Sequence, residues 1–167
     1  MNTDKKILKY SDLPKLRKRL TKEGKTIVFT SGCYDLLHFG HVMHFNYCKS
    51  LGDVLVVSVG NDKTLRELKG PNRPLVQEEL RIRMIAALEV VDYAVLSTEG
   101  GIMDHSEMVK LLQPDLYVVP STDKHISDKQ ALVDTYGGKL FKCKRLPPQH
   151  LKGGISTTQL EEKLASF

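Results

Sequence analysis

Short apolar runs rich in β-branched residues alternate along this chain with stretches of helical periodicity. Five runs read as strands: "KTIVFTSG", "DVLVVSVG", "DYAVL", "DLYVV" before Pro120, and "KLFKCKRL". The second is continuous rather than alternating, as strands covered on both faces are. Between the runs lie helical patterns: His41 to Leu51, closed by Gly52; Glu78 to Val90; "SEMVKLLQ"; and "DKQALVDTYGG", closed by Gly137 and Gly138. Ahead of the first strand, Ser11 followed by "DLPKLRKRL" reads as an N-capped helix with Leu13, Leu16 and Leu20 on one face, within a helical extension over residues 1–24. The final "STTQLEEKLASF" begins with hydroxyl caps and has a capping-box spacing from Ser156 to Gln159. A polar loop containing "KGPNRP" separates the second strand from the helix at Glu78. The alternation predicts a doubly wound α/β fold: one domain over residues 1–167 around a parallel five-stranded sheet with right-handed crossovers.

Composition agrees with a globular chain: of 167 residues, 41% are apolar and 27% charged, enough for one core. The net charge of +5 raises the question of nucleic acid. Its one basic cluster, "KLRKRLTKEGK", lies on an amphipathic helix without interleaved aromatics, and the chain has no Trp, which argues against such a partner. An anionic small substrate explains the charge equally well. Cys33, Cys48 and Cys143 have no CxxC spacing and suggest neither a disulfide framework nor a zinc knuckle. Without a signal-like N-terminus or a membrane-length apolar run, the expected setting is the cytoplasm, with no membrane partner.

In sheets of this kind ligands sit beyond the carboxyl ends of the strands. There the chain places "FTSGCYDLLHFGHVMHF", Phe29 to Phe45, with three histidines, a carboxylate and two glycines. His38, His41 and His44 have helix-like spacing and could hold zinc. His38, however, precedes the helix, Gly40 is suited to close backbone approach, and His44 reads as an ordinary helix-face residue. Anion chemistry is the rival: two imidazoles on a glycine turn at a helix start converge as donors on a phosphate.

"GCYDLLHFGHV" resembles the HxGH signature of the nucleotidyltransferase superfamily, which includes cytidylyltransferases and several adenylyltransferases. From about Lys6 to Leu164, "IVFTSGCYDLLHFGHV", "LGDVLVVSVGND", "LKGPNRPL" and "RIRMIAALEVVDYAV" are similar to D-glycero-β-D-manno-heptose 1-phosphate adenylyltransferases, while "GGISTTQL" is closer to glycerol-3-phosphate cytidylyltransferases. The resemblance implies a Rossmann-like fold and a magnesium-dependent transfer of nucleoside monophosphate from ATP or CTP to a phosphorylated sugar or polyol. It also implies a homodimer, and Mg2+ carried by the triphosphate with Asp35 as its one possible side-chain ligand.

Position by position, the resemblance implies that His38, His41, Lys69 and Arg81 are catalytic. Ser31, Gly32, Cys33, Tyr34, Asp35, Gly40, Ser156, Thr157 and Thr158 would bind nucleotide, and Asp62, Arg73 and Asp123 the second substrate. Simpler readings stand beside these. Lys69 and Arg73 would be solvated loop charges, Arg81 would pair with Glu78 or Glu79 on its own helix, Ser156 would be an N-cap, and Asp35 an Asx-turn residue. Asp62 and Asp123 would be strand-end caps. One departure is clear: the heptose enzymes carry a KGGDY-type segment after the fourth strand, whereas this chain has "VPSTDKH", in which only Asp123 matches. Two readings from other classes are a regulatory module that binds nucleotide without turnover and a fragment of an aminoacyl-tRNA synthetase.

Overall fold

The computed structural model describes residues 3–144. Within them the elements are β1 (Ile7–Leu8), α1 (Leu13–Lys22), β2 (Ile27–Gly32), α2 (Phe39–Ser50), β3 (Val54–Val59), α3 (Asp62–Lys69), α4 (Glu78–Ala86), β4 (Tyr93–Leu96), α5 (Ser106–Leu112), β5 (Leu116–Pro120), α6 (Ile126–Thr135) and β6 (Lys139–Cys143), with 3-10 turns at Thr3–Lys6 and Tyr10–Asp12. The sheet is parallel throughout, in the order β1-β4-β3-β2-β5-β6.

Two expectations need correcting. The sheet has six strands, not five, because Ile7 and Leu8 pair with Ala94 and Val95 at the outer edge of β4. Two residues are too few to show a period of two, and they lie in a segment that reads as helical. The loop after β3 is also partly a helix. Asn61 caps α3, its side-chain oxygen accepting the Thr64 N–H at 2.7 Å, and Leu65 is fully buried. An Asn followed by "DKTLRELK" was the available signal.

Strict alternation divides the core between the two faces of the sheet. From β2, Val28 joins Phe45 and Cys48 of α2 and Ile82, Ile85 and Ala86 of α4 on one face. Ile27 and Phe29 join Leu13, Leu16 and Leu20 of α1, Met108, Val109 and Leu112 of α5 and Val133 of α6 on the other. Both faces are thus covered, which explains the unbroken apolar runs.

A crevice at one edge of the sheet follows from the same topology. β2 keeps register with β3 through Gly32↔Val59, but with β5 only at Val28↔Leu116 and Phe29↔Tyr117. From β2 the chain crosses to β3 and β4 on one side and then returns from β4 past β2 to β5 on the other, so a crevice forms at β2 where the order reverses. Beyond Phe29 side chains bridge the divergence: Thr30 Oγ1 donates to the Val118 carbonyl at 2.9 Å, and Ser31 Oγ lies 2.6 Å from the Tyr117 hydroxyl.

Candidate active site

The turn leaving β2 is shaped by two glycines. A Cβ on Gly32 would lie 2.8 Å from Cζ of Tyr34, and one on Gly40 would lie 2.9 Å from Cε1 of His38. Without those atoms the Tyr34 ring folds back on the strand end and the His38 ring folds over the start of α2. Tyr34 takes a left-handed backbone, φ 52°, and meets His41 and Phe45 edge-on, each at 5.2 Å between centroids.

His38 is the N-cap of α2, and its Nδ1 accepts the Gly40 N–H at 3.1 Å. His41 Nδ1 accepts the His38 N–H at 3.4 Å, and the two rings stack at 3.9 Å and 24°. Since each Nδ1 faces a backbone donor, a neutral ring carries its proton on Nε2. The sequence therefore builds two Nε2–H donors at a helix N-terminus, where the macrodipole also favours an anion.

His44 stands apart from this pair. Thr30 gives its proton to Val118, so its Oγ1 accepts from His44 Nε2 at 2.9 Å; Cys48 Sγ lies 3.5 Å from the same nitrogen. It is an anchor of α2 on β2 rather than a plain helix-face residue, and among the described residues no group of three His, Cys, Asp or Glu is arranged to hold a metal. Burial lowers the His44 pKa to about 4. A folded value below the ordinary value of about 6.5 means that the unfolded chain binds the proton first. This part of the stability is complete above about pH 6.5 and is lost as the pH falls toward 4. Urea midpoints measured from pH 7 to pH 4 should fall less steeply in His44→Gln than in the parent protein; equal slopes would remove His44 as the cause.

Asp35 acts as a clamp. Its Oδ1 accepts the N–H groups of Leu75 (2.8 Å) and Val76 (3.1 Å), and its Oδ2 accepts from Arg73 Nη1 at 2.8 Å. Burial raises its pKa, but the Val76 N–H, the Arg73 guanidinium and the Leu75 N–H outweigh burial and hold the carboxyl below its ordinary range. These partners come from the α3–α4 loop, not from its own turn. Both oxygens of Asp35 are thus committed to donors of the protein, which leaves this carboxylate poorly placed to ligate a metal built into the fold.

Arg81 is fully enclosed, its side chain 0% exposed. Nε donates to the Val76 carbonyl, Nη1 to the Cys33 carbonyl and Nη2 to Asp62 Oδ1 at 2.8 Å. Its ion-pair partner is thus Asp62 of α3 rather than Glu78 or Glu79 of its own helix; Glu78 instead accepts the Asp62 N–H at 2.7 Å. Asp62 opens α3 one residue after the Asn61 cap. Lys69, exposed at the end of α3, lies close enough to Cys33 for its charge to oppose the upward push of burial on that thiol.

Across the crevice, Asp123 Oδ1 accepts the His125 N–H at 2.8 Å, in the manner of a local cap, and Oδ2 accepts from the buried Lys129 at 2.7 Å. Burial raises the Asp123 pKa, and the Lys129 and His125 contacts bring it net below its ordinary value. The structure therefore gathers Ser31, Gly32, Cys33, Tyr34, Asp35, His38, Gly40 and His41 at one strand end and fastens the Arg73 loop to them. Ser156, Thr157 and Thr158 lie outside the described residues. Sequence reasoning missed Lys129, and also Asn61, Ser97, Asp104, His105 and Tyr117, which form one buried hydrogen-bonded series.

A doubly wound parallel sheet whose central strand ends in paired imidazoles at a helix start defines an α/β protein built to hold phosphate groups. Residues 29–163 match the family model described as cytidylyltransferase-like, and the chain belongs to that family. It is 37% identical over 166 residues to the bifunctional protein HldE of Syntrophotalea carbinolica, covering 94% of this chain and 32% of that protein. Identity to the HldE protein of Campylobacter fetus is 44% over 100 residues, 60% of this chain and 21% of that one. The chain thus spans about a third or less of the length of these relatives. Among solved structures, a lipopolysaccharide core biosynthesis protein from Thermoplasma volcanium superimposes with a TM-score of 0.62 at 31% identity, covering 72% of this chain and 96% of that one. Pantoate-β-alanine ligase from Francisella tularensis shares the fold, with a TM-score of 0.56 at 17% identity over 96% of this chain and 78% of that one.

Proposed function

We propose that the chain is a nucleotidyltransferase that moves adenylate from ATP to a small phosphorylated sugar such as a heptose 1-phosphate. The observation that carries this reading is the stacked His38–His41 pair, with each Nδ1 turned to a backbone N–H. An oxygen of the acceptor phosphate attacks the α-phosphorus in line, the new P–O bond forms as the bond to the β-phosphate bridge breaks, and pyrophosphate leaves with the electron pair. The Nε2–H groups of His38 and His41 donate to the α-phosphate oxygens as their charge grows. Lys69 and the hydroxyls of Ser156, Thr157 and Thr158 hold the departing phosphates. Asp35 and Arg81 act by holding the turn and the α3–α4 loop in register, and an Mg2+ brought with the triphosphate would neutralise part of its charge. Positioning and charge stabilisation suffice, and no covalent intermediate is required.

The active unit we propose is a homodimer in the cytoplasm. Exposed Leu75, Leu80 and Met84 on and beside α4 offer an apolar face for the first part. For the second, no helix among the described residues is long and apolar enough to cross a membrane.

Pyrophosphate release with four nucleoside triphosphates against a panel of sugar and polyol phosphates tests the reading. Pro120 and Ser121, standing where a lysine-glycine pair is expected, favour CTP with a polyol phosphate as the second choice. Either base is read by hydrogen bonds that the other leaves unmade. The expected result is ATP preferred over CTP by at least about a hundredfold in kcat/KM, or about 2.7 kcal/mol. Turnover of CTP alone would replace the base and keep the mechanism. Nucleotide binding with no turnover for any pair would favour a regulatory module.

A further inference from the structure

A buried series of hydrogen bonds runs beneath the carboxyl ends of four strands, and its polarity is fixed along its whole length. At one end the Asn61 N–H, which can only donate, gives its proton to Ser97 Oγ at 2.9 Å. Ser97 therefore gives its own hydroxyl proton to Asp104 Oδ2 at 2.6 Å. The other carboxylate oxygen of Asp104 faces His105 Nδ1 at 3.3 Å, so that nitrogen carries the imidazole proton. His105 is 1% exposed, and burial lowers its pKa despite the opposing contact with Asp104, so the ring is neutral and Nε2 is an acceptor. The Tyr117 hydroxyl, 2.7 Å away, donates to it. The Tyr117 oxygen then accepts from Ser31 Oγ at 2.6 Å. Burial also holds Tyr117 in its phenol form, raising its pKa well above the ordinary value.

Asn61, Ser97, Asp104, His105 and Tyr117 are all buried, whereas Ser31, at the end of β2 where the register with β5 has already ceased, is half-buried. The series surfaces at Ser31. Its only hydroxyl proton is directed inward to Tyr117, so toward the crevice Ser31 Oγ offers lone pairs alone.

From this geometry we infer that Ser31 is a specificity-determining hydrogen-bond acceptor that reads a hydroxyl group of a bound ligand rather than a phosphate oxygen, with Tyr117 and His105 as the positioning residues that fix its polarity. The inference refines the proposed transferase reading, and within it the hydroxyl belongs either to the ribose of the nucleotide or to the phosphorylated acceptor. A phosphate oxygen brings no proton and would face lone pairs. A hydroxyl brings one. Nothing in the order "TSGC" around Ser31 announces this, because the direction of the bond is set by residues 30 to 86 positions away.

Two measurements on the full chain test it. Nitrogen-15 spectra of histidine-labelled protein should show His105, assigned by its loss in His105→Asn, as the neutral Nδ1–H tautomer; an Nε2–H tautomer would reverse the series and overturn the inference whether or not turnover is found. In the second, kcat/KM is compared for substrates in which one hydroxyl at a time is replaced by fluorine, which accepts but cannot donate. One replacement should cost about tenfold in the parent protein, the worth of one hydrogen bond, and less than about twofold in Ser31→Ala. Whether that analogue is the nucleotide or the acceptor identifies the source of the hydroxyl. Tyr117→Phe should narrow the same ratio by releasing the Ser31 proton. A fluorine penalty that persists unchanged in Ser31→Ala, or no penalty at any position, would overturn the inference. Absence of turnover with every pair tested would defeat the transferase reading alone, since the tautomer still decides the polarity of Ser31.

Discussion

Alanine in place of His41 lowers kcat about a hundredfold or more, the usual cost of one preorganised donor, and leaves thermal stability close to that of the parent protein. The hydrogen bond that the His41 ring accepts from the His38 N–H is long, at 3.4 Å. His38→Ala gives a similar fall in kcat and also loses the N-cap of α2, costing about 1 kcal/mol. His38→Asn separates the two roles, because an amide oxygen can still accept the Gly40 N–H while no imidazole donor remains. Steady-state pyrophosphate release and thermal melts on these variants and His44→Ala, beside the parent protein, check this. Equal losses of kcat in His38→Ala, His41→Ala and His44→Ala, with stoichiometric zinc in the parent protein, would replace the donor pair by a metal site.

Arg81→Met is expected to destabilise the protein by about 3 kcal/mol or more. The substitution leaves the Cys33 and Val76 carbonyls without their guanidinium donors and Asp62 without its counter-charge. Because Cys33 belongs to the turn leaving β2 and Val76 to the clamped loop, kcat/KM is expected to fall as well. Urea denaturation gives the first quantity and steady-state pyrophosphate release the second. A variant that unfolds within 1 kcal/mol of the parent protein, in order of magnitude, yet has a greatly raised KM for the triphosphate would show that Arg81 acts on the ligand directly.

Those two residues mark how far the sequence could be read. The helix at His38–His41 and the strand before it were legible, because "IVFTSG" and the following glycine turn are local signals, and both fall where a parallel sheet places its crevice. Arg81 was legible as a residue of interest but not in its geometry: a helix-surface pairing with Glu78 or Glu79 needs only local spacing, whereas the pairing with Asp62 requires α3 to be packed against α4. Asp35 shows the same limit, its partners lying 38 to 41 positions away. The series from Asn61 to Ser31 was hidden more completely. Tyr117 looks like one more apolar member of "DLYVV", and His105 sits in a loop without motif spacing, so only the sheet order brings them together.

The two-residue strand β1 has a consequence for solubility. Ile7 and Leu8 cap the backbone of β4 at the sheet margin, and Lys6 fastens the segment by donating to the carbonyls of Leu88 at 3.0 Å and Val91 at 2.7 Å. An uncovered parallel edge is a template for strand addition from another molecule. The segment that ends at Leu8 therefore works as a guard rail, remote from the crevice, and its loss would show first as self-association of molecules in which the turn leaving β2 is still intact.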